Sequence, residues 1–216
     1  MRTQAEVAAE RRLREEIANV VTHGAGLLMA IAAVPVLVVL GALRGDALHV
    51  ASFAVYGATL ILVYLSSTLY HAFKEPKMRR VFRILDHAAI YLMIAGTYTP
   101  FMLISLNEPW GWTILALVWT LAAVGCAAKI LEIEGFKKYS TAFYLAMGWL
   151  VVIALEPVLA AVPLAGLVWL AVGGVLYTGG VIFFLWETLP FNHAIWHLFV
   201  IAGSVCHYIA ILLYVW

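Results

Sequence analysis

Residues 189–208 read LPFNHAIWHLFVIAGSVCHY, and this stretch decides how the whole chain is interpreted. From Ala194 to Val215 the sequence contains no Asp, Glu, Lys or Arg. A helix of about 20 mainly apolar residues is long enough to cross the hydrocarbon core of a bilayer. His193 and His197 nevertheless stand four residues apart, which places both imidazoles on one face of that helix. The stretch therefore predicts a membrane span with two histidines near its start.

The composition of the whole chain agrees with a membrane protein. Of 216 residues, 65% are hydrophobic and 12% are charged, and the mean hydropathy is +0.98. Soluble domains carry about 25% charged residues, so this much apolar surface is expected to face lipid. The net charge of +1 gives no indication of a nucleic-acid partner. Cys126 and Cys206 stand in apolar runs and are expected to be buried thiols rather than disulfide partners or metal ligands.

Seven apolar segments meet the same length criterion, and the breaks between them are short and polar or contain Pro or Gly. The predicted spans are 17–42, 48–72, 82–105, 112–131, 139–161, 164–186 and 194–215. The sequence thus predicts an all-α integral membrane protein, a seven-transmembrane helix bundle. A polar N-terminal segment at 1–16 precedes a single domain at 17–216. Pro35 and Pro100 are expected to kink their helices.

The basic residues predict how the bundle is oriented. Seven spans place twelve of the thirteen Lys and Arg residues on one side and only Arg44 on the other. Because cytoplasmic loops carry an excess of Lys and Arg, we predict a cytoplasmic N-terminus and a C-terminus outside. The twelve are Arg2, Arg11, Arg12, Arg14, Lys74, Lys77, Arg79, Arg80, Arg83, Lys129, Lys137 and Lys138.

Polar residues inside the spans predict a functional site, because such groups are costly in a membrane and tend to mark function. Four spans contain them, and in the predicted topology all lie near the cytoplasmic face. They are Glu16, Asn19 and His23 in the first span, Ser66, Ser67 and His71 in the second, Asp86 and His87 in the third, and His193 and His197 in the seventh. Since consecutive spans alternate in direction, this common depth indicates that the side chains converge.

The convergence of His71, His193 and His197 predicts a zinc site. Three neutral imidazoles suit Zn²⁺ and leave a fourth coordination position open to water. Asp86 supplies negative charge near the dication, either as a direct ligand or by holding that water. A single buried histidine is more often a hydrogen-bonded packing residue, so the prediction depends on the shared depth and spacing. His207 lies about 15 Å deeper along its helix than His197 and is too distant to share the metal.

Four motifs together resemble the hemolysin III family, within the wider group of progestin and adiponectin receptor-like (PAQR) membrane proteins. They are EEIANVVTH at 15–23, SSTLYH at 66–71, LDHAAIYLMIAGTYTPF at 85–101 and HAIWHLFVIAGSVCHY at 193–208. The resemblance covers nearly the whole chain, and the short N-terminus and loops are similar to those of bacterial members. It implies a multi-pass protein of the bacterial plasma membrane, with seven helices and a zinc ion near the cytoplasmic side.

The resemblance also implies roles for residues at matching positions. His71, His193 and His197 match the zinc-binding histidines of the family. Asp86 matches the acidic residue associated with water at the metal. Ser67 matches the serine one turn before the first histidine, which implies a catalytic role together with Asp86.

Two further matches concern the surroundings of the metal. Glu16, Asn19 and His23 match the first-helix motif, for which a role in supporting the ligands or the structure is expected. His87 stands where the animal receptors tend to have tyrosine. This departure leaves open a different hydrogen bond around Asp86, or His87 as an alternative ligand.

Three classes of function remain open at this point. The first is a zinc-dependent hydrolase of a membrane-lipid amide or ester, with Asp86 as general base and Ser67 bonding Asp86 or the oxyanion. Related alkaline ceramidases support it by analogy. The second is a pore-forming, cytolytic protein, as the family name suggests, although no signal-peptide core and no charged ring suited to a pore are found. The third is a non-enzymatic lipid sensor or receptor in which Asp86 closes a structural zinc site.

Of these classes, we expect zinc binding with hydrolase-like chemistry and a role in membrane-lipid homeostasis. A membrane lipid is then the expected substrate or ligand. The sequence does not indicate an oligomeric state.

Overall fold

The computed structural model describes residues 3–106 and 109–216. Within these ranges the chain is almost entirely helical and forms no strand. Eight α-helices follow one another: α1 Gln4–Arg44, α2 Ala47–Ala72, α3 Pro76–Pro100, α4 Trp110–Ile130, α5 Glu134–Gly148, α6 Leu155–Ala161, α7 Leu164–Leu185 and α8 Asn192–Tyr214. A π-helical segment, Phe101–Ser105, continues α3, and a 3₁₀ segment, Leu150–Ala154, joins α5 to α6.

Seven helical segments of the described chain are long and apolar enough to cross a membrane. Helices α1, α2, α4, α7 and α8 each supply one, α3 with its π-helical continuation supplies another, and α5 with α6 supplies the fifth over Lys138–Ala161. The predicted seven-helix class is therefore confirmed. The orientation of the termini stays a prediction, and Arg2, one of the basic residues behind it, lies outside the described residues.

The first helix begins well before the span predicted at 17–42, because its polar start has strong local helix signals. Thr3 is the N-cap, and its Oγ1 accepts from the backbone N–H of Glu6 at 3.2 Å. Glu6 Oε2 accepts in return from the N–H of Thr3 at 2.7 Å, which completes a capping box. Further along, Arg11 and Glu15 form an i, i+4 ion pair at 3.0 Å. The polar N-terminal segment is thus a helical extension of the first span.

The fifth span is interrupted, which the sequence did not predict. Helix α5 ends at Gly148, and the chain passes through the 3₁₀ segment before α6 begins. The hydroxyl of Tyr98, from α3, bonds the carbonyls of Met147 and Gly148 at 3.2 and 2.9 Å and accepts from the N–H of Val151 at 2.9 Å. These bonds satisfy backbone groups that would otherwise be costly inside a membrane, so Tyr98 makes the break tolerable.

The helices differ at the two prolines that were predicted to kink them. The helix type changes from α to π directly after Pro100. Helix α1 instead continues through Pro35 as one helix from Gln4 to Arg44.

Glycines allow α2 to approach α1 and α3 closely. A Cβ atom on Gly57 would lie 2.2 Å from Val34 Cγ1 of α1, and one on Gly96 of α3 would lie 2.0 Å from Thr59 Oγ1 of α2. Both distances are shorter than any van der Waals contact, so a side chain has no room at either position. Small residues at such contacts let transmembrane helices pack backbone to backbone. They set how closely the middle of α2 approaches α1 and α3.

Packing between neighbouring helices brings one end of several spans together. Helix α1 packs against both α2 and α8, α2 also packs against α3, and α7 packs against α8. The early turns of α1, the end of α2 and the starts of α3 and α8 therefore surround a common interior. This is the region in which the polar residues of the four spans were predicted to meet.

Candidate metal centre

Three histidines from two helices converge in this interior. Their ligand atoms, one nitrogen from each of His71, His193 and His197, all lie within 4.8 Å of one another. The ring centroid of His71 lies 5.0 Å from that of His193 and 5.3 Å from that of His197. The ring centroids of His193 and His197 are 4.5 Å apart. His71 and His197 are buried and His193 is partly buried. The predicted convergence of these three side chains is present in the structure.

The turn between α7 and α8 places His193 in the first turn of its helix. Phe191 precedes α8 in the left-handed conformation, with φ of 58°. The side-chain amide of Asn192 donates to the carbonyls of Phe183 and Phe184, both at 3.3 Å. These bonds anchor the start of α8 to the end of α7, so that His193 and His197 face the end of α2.

The donor set fits a zinc ion. His71 Nε2 is buried and has no hydrogen-bond partner among the described residues. A buried polar atom without a partner is costly, so it indicates a missing ligand or ion. Three neutral imidazoles whose ligand atoms are this close can surround one ion, and imidazole is a preferred ligand of Zn²⁺. The residues present are therefore suited to hold the metal.

Glu16 fixes which nitrogen of His71 faces the other histidines. Glu16 Oε2 lies 2.7 Å from His71 Nδ1. Because a carboxylate only accepts hydrogen bonds, Nδ1 of the neutral imidazole must carry the proton. The lone pair is then on Nε2, the atom that has no partner. Carboxylates that orient metal-binding histidines in this way are common around zinc sites.

Thr22 has the corresponding role at His197. Its Oγ1 donates to the carbonyl of Ala18 at 2.8 Å or of Asn19 at 3.0 Å, so its own proton is used within α1. Oγ1 also lies 3.0 Å from His197 Nδ1 and must therefore accept from that nitrogen. The lone pair of His197 is again left on Nε2. Two of the three candidate ligands thus have the same tautomer, and α1 sets it in both.

Arg79 holds Glu16 in place. Its guanidinium donates to Glu16 Oε1, and the group lies over the ring of Tyr70 at 4.9 Å from the centroid. The charge of the carboxylate is therefore balanced by the guanidinium, and the chain Arg79–Glu16–His71 links the start of α3 to the candidate ligands.

His23 and Asn19 also lie against the histidine cluster. The His23 ring stacks on His197 with centroids 3.4 Å apart and 15° between the planes. Both ring nitrogens of His23 are buried without a hydrogen-bond partner among the described residues. Asn19 Nδ2 lies 3.4 Å from His71 Nδ1. With Glu16, all three residues of the first-helix motif therefore contact candidate ligands.

The residues of the predicted catalytic pair line a cavity beside the histidines. Asp86 is 8% exposed and Ser67 is 1% exposed, and both line this cavity together with His193 and His197. The Asp86 carboxylate is not a member of the converging ligand group found among the described residues. Ser67 Oγ is buried and lies beside the Asp86 carboxylate.

His87 lines the cavity beside Asp86, but its Nδ1 bonds back to its own helix. Its Nδ1 lies 2.6 Å from the backbone carbonyl of Arg83 in the preceding turn and 3.9 Å from Asp86 Oδ2. His87 also falls outside the converging ligand group of the described chain. This geometry gives no support to His87 as an alternative ligand.

The cavity is about 430 Å³ in volume and extends from the histidines deep into the bundle. Its deep end is formed by Tyr98, Trp149 and Tyr177, and most of its lining is apolar. Its other end is formed by charged residues at the ends of α3 and α4. The space is elongated along the helices and lined mainly by apolar side chains. Its shape and lining therefore suit a lipid acyl chain.

Two residues of this site were missed by sequence reasoning, Thr22 and Arg79. Thr22 stands three residues after Asn19, so the two side chains are neighbours on the surface of the helix. That spacing could have identified it. Arg79 contacts Glu16 from another helix, and its position in the sequence contains no comparable signal.

The chain is similar to known proteins over almost its full length. A family model described as "Haemolysin-III related" matches residues 11–208. "Hemolysin-3" of Bacillus cereus is 50% identical over 203 residues, which cover 94% of this chain and 93% of the relative. "Hemolysin-3 homolog" of Bacillus subtilis (strain 168) is 45% identical over 202 residues, with 94% and 95% covered. "Monocyte to macrophage differentiation factor" of Homo sapiens is 32% identical over 211 residues, with 94% and 85% covered.

Proposed function

This chain belongs to the hemolysin III-related family of membrane proteins, and we propose that it is a zinc-binding, multi-pass protein that hydrolyses a membrane lipid. His71, His193 and His197 are the proposed ligands. The observation that carries the proposal is the approach of their ligand atoms to within 4.8 Å, with His71 Nε2 buried and unpartnered in the described chain.

The residues around the cluster supply the remaining chemistry. A zinc ion held by three imidazoles polarises a carbonyl group and makes water more acidic. Asp86 lines the cavity beside two of the histidines, where its carboxylate can accept a proton from water and return it to the leaving group. Ser67 has a buried hydroxyl beside Asp86, which can donate to Asp86 or to the oxyanion of the substrate.

The donor set favours hydrolysis over a purely structural zinc site. Structural sites are closed by four protein ligands, whereas catalytic sites keep one position open. Within the described chain the converging group consists of three histidines and does not include Asp86. The long, mainly apolar cavity that begins at these residues supports a lipid as the substrate. Membrane-lipid homeostasis is the role that follows from such an activity.

Hydrolysis is tested by offering zinc-loaded protein ester and amide lipids in mixed micelles and measuring the fatty acid released. We expect release from at least one lipid class, and a decrease in kcat of about 10²- to 10⁴-fold in Asp86→Asn, since general base catalysis contributes that much. The zinc content of Asp86→Asn should equal that of the wild type. Equal rates in the two proteins, or no release by the loaded wild type, would contradict hydrolysis at this site.

The orienting role of α1 gives a separate prediction about zinc affinity. We expect Thr22→Val and Glu16→Ala each to weaken zinc binding by about 10- to 100-fold, because partners that orient metal-binding histidines have effects of that size. The affinity is measured by competition with a chelator on purified protein. Thr68→Val is the matched control, since the hydroxyl of Thr68 bonds the Tyr64 carbonyl of its own helix at 2.7 Å. Unchanged affinity in both α1 variants would show that α1 does not orient the ligands.

A further inference from the structure

Charged side chains form one end of the cavity, and they are close to the candidate metal centre. Arg83, Lys129 and Glu132 line this end, which we call the mouth. The Glu132 carboxylate forms an ion pair with Arg80 and lies 3.6 Å from Arg83 Nη2. The mouth therefore brings basic side chains from α3 and from the end of α4 to the border of the cavity.

The backbone at Glu132 indicates that the mouth is a built feature. Glu132 has φ of 49°, in the left-handed region that glycine usually occupies after a helix. The turn is closed by hydrogen bonds from the N–H of Glu132 to the carbonyl of Lys129 at 3.1 Å and from the N–H of Ile133 to that of Ala128 at 3.0 Å. A glutamate in this conformation is strained. Its carboxylate lies beside Arg83 at the border of the cavity.

The basic side chains of the mouth differ from others at the same end of the bundle. Lys74 and Lys77 are exposed and do not line the cavity, as expected of residues that only contribute to membrane orientation. Arg83 is exposed as well, but both Arg83 and Lys129 border the cavity itself. Orientation of the spans does not require that placement, whereas recognition of an anion does.

The distances from the mouth to Asp86 and to the far end of the cavity match the order of headgroup, ester linkage and acyl chain in a phospholipid. Arg83 precedes Asp86 and His87 by about one helical turn on α3, and Tyr98 at the deep end lies about 22 Å beyond Arg83 at 1.5 Å per residue. An anionic headgroup at Arg83 would leave the ester linkage near Asp86 and an acyl chain along the apolar lining. A neutral lipid would place no anion at the mouth.

We propose that the cavity binds a membrane phospholipid, with its phosphate group at Arg83 and Lys129. This inference rests on the proposed function, because it names the substrate class of the same site. The phosphate accepts from the guanidinium and ammonium groups, and an acyl chain occupies the cavity between α3, α5 and α7.

Native mass spectrometry in a neutral detergent tests the inference with defined lipids. We expect the protein to retain one dioleoylphosphatidylglycerol per chain in preference to dioleoylglycerol. Arg83→Gln and Lys129→Gln should each lower the affinity for phosphatidylglycerol about fivefold, the effect of one basic residue near an anionic lipid surface. Arg83→Lys should retain most of the affinity, and Lys77→Gln, the matched control on the same helix, should leave it unchanged. Equal retention of the two lipids, or equal loss in Lys77→Gln, would overturn the inference.

Two further arms identify the source of the phosphate and separate this inference from the metal proposal. Glycerol 3-phosphate should not displace the lipid; displacement at similar concentrations would assign the mouth to a free phosphate compound. The variant His193→Ala should keep the lipid preference although it lacks a zinc ligand. Zinc-dependent hydrolysis of a neutral lipid, without any preference for phosphatidylglycerol, would overturn the headgroup assignment and leave the hydrolase proposal intact.

Discussion

Replacing His71, His193 or His197 by alanine is expected to reduce the zinc content of the purified protein from about one ion per chain to near zero, since a three-histidine site has no spare ligand. Loss of an orienting partner alone weakens zinc binding by about 10- to 100-fold, so loss of a ligand should exceed about 100-fold. Elemental mass spectrometry on protein purified in detergent, without a metal-affinity tag, measures the effect.

The matched control for these variants is His207→Ala. His207 is on α8 as well and lies about 15 Å beyond His197, where its Nε2 is 3.3 Å from the carbonyl of Leu170. This variant should keep its zinc. Zinc retained in all three ligand variants would contradict the proposal, as would a folded wild-type protein that takes up none on reconstitution.

The seven spans and the convergence of the histidines were predictable because the membrane imposes both. Lipid requires about 20 apolar residues for each crossing, so counting such segments gave the correct helix class. Polar residues are costly in those segments, so the shared depth of His71, Asp86 and His193 was informative. Helices that alternate in direction leave few other arrangements for residues at one depth.

The orienting hydrogen bonds were not predictable, because they depend on how helices are rotated against one another. Whether Thr22 reaches His197 depends on the packing of α1 against α8, and the sequence gives only the face on which Thr22 lies. The interruption of the fifth span after Gly148 depends on Tyr98 of α3, a contact between distant parts of the sequence. The left-handed turn at Glu132 was not predictable either, because no glycine stands there to indicate it.

Replacing Gly96 by alanine is expected to destabilise the bundle by about 3 kcal/mol, the upper part of the usual range for overpacking a tight contact. The added Cβ would lie 2.0 Å from Thr59 Oγ1 and 3.0 Å from both Thr59 Cβ and Cγ2. Rotation of the Thr59 side chain moves Oγ1 but not Cβ, so α2 and α3 must separate. Because α2 carries His71 and α3 carries Asp86, the variant should also hydrolyse lipid more slowly, whereas its zinc content should change little, since the proposed ligands are on α2 and α8.

A double-mutant cycle with Thr59→Ala tests whether this one contact is responsible. Removing Oγ1 and Cγ2 of Thr59 leaves only Cβ against the new methyl group, so the double variant should recover at least about 1 kcal/mol relative to the sum of the single changes, as expected for residues in contact. The free energy of unfolding is measured by denaturant titration in detergent. Gly135→Ala is the control, because nothing lies within 4 Å of a Cβ at that position, and helix propensity should make it neutral or slightly stabilising. If Gly96→Ala were as stable as Gly135→Ala, or if the two changes at Gly96 and Thr59 were additive, α2 and α3 would not be held together by this contact, and the spacing of His71 and Asp86 would need another cause.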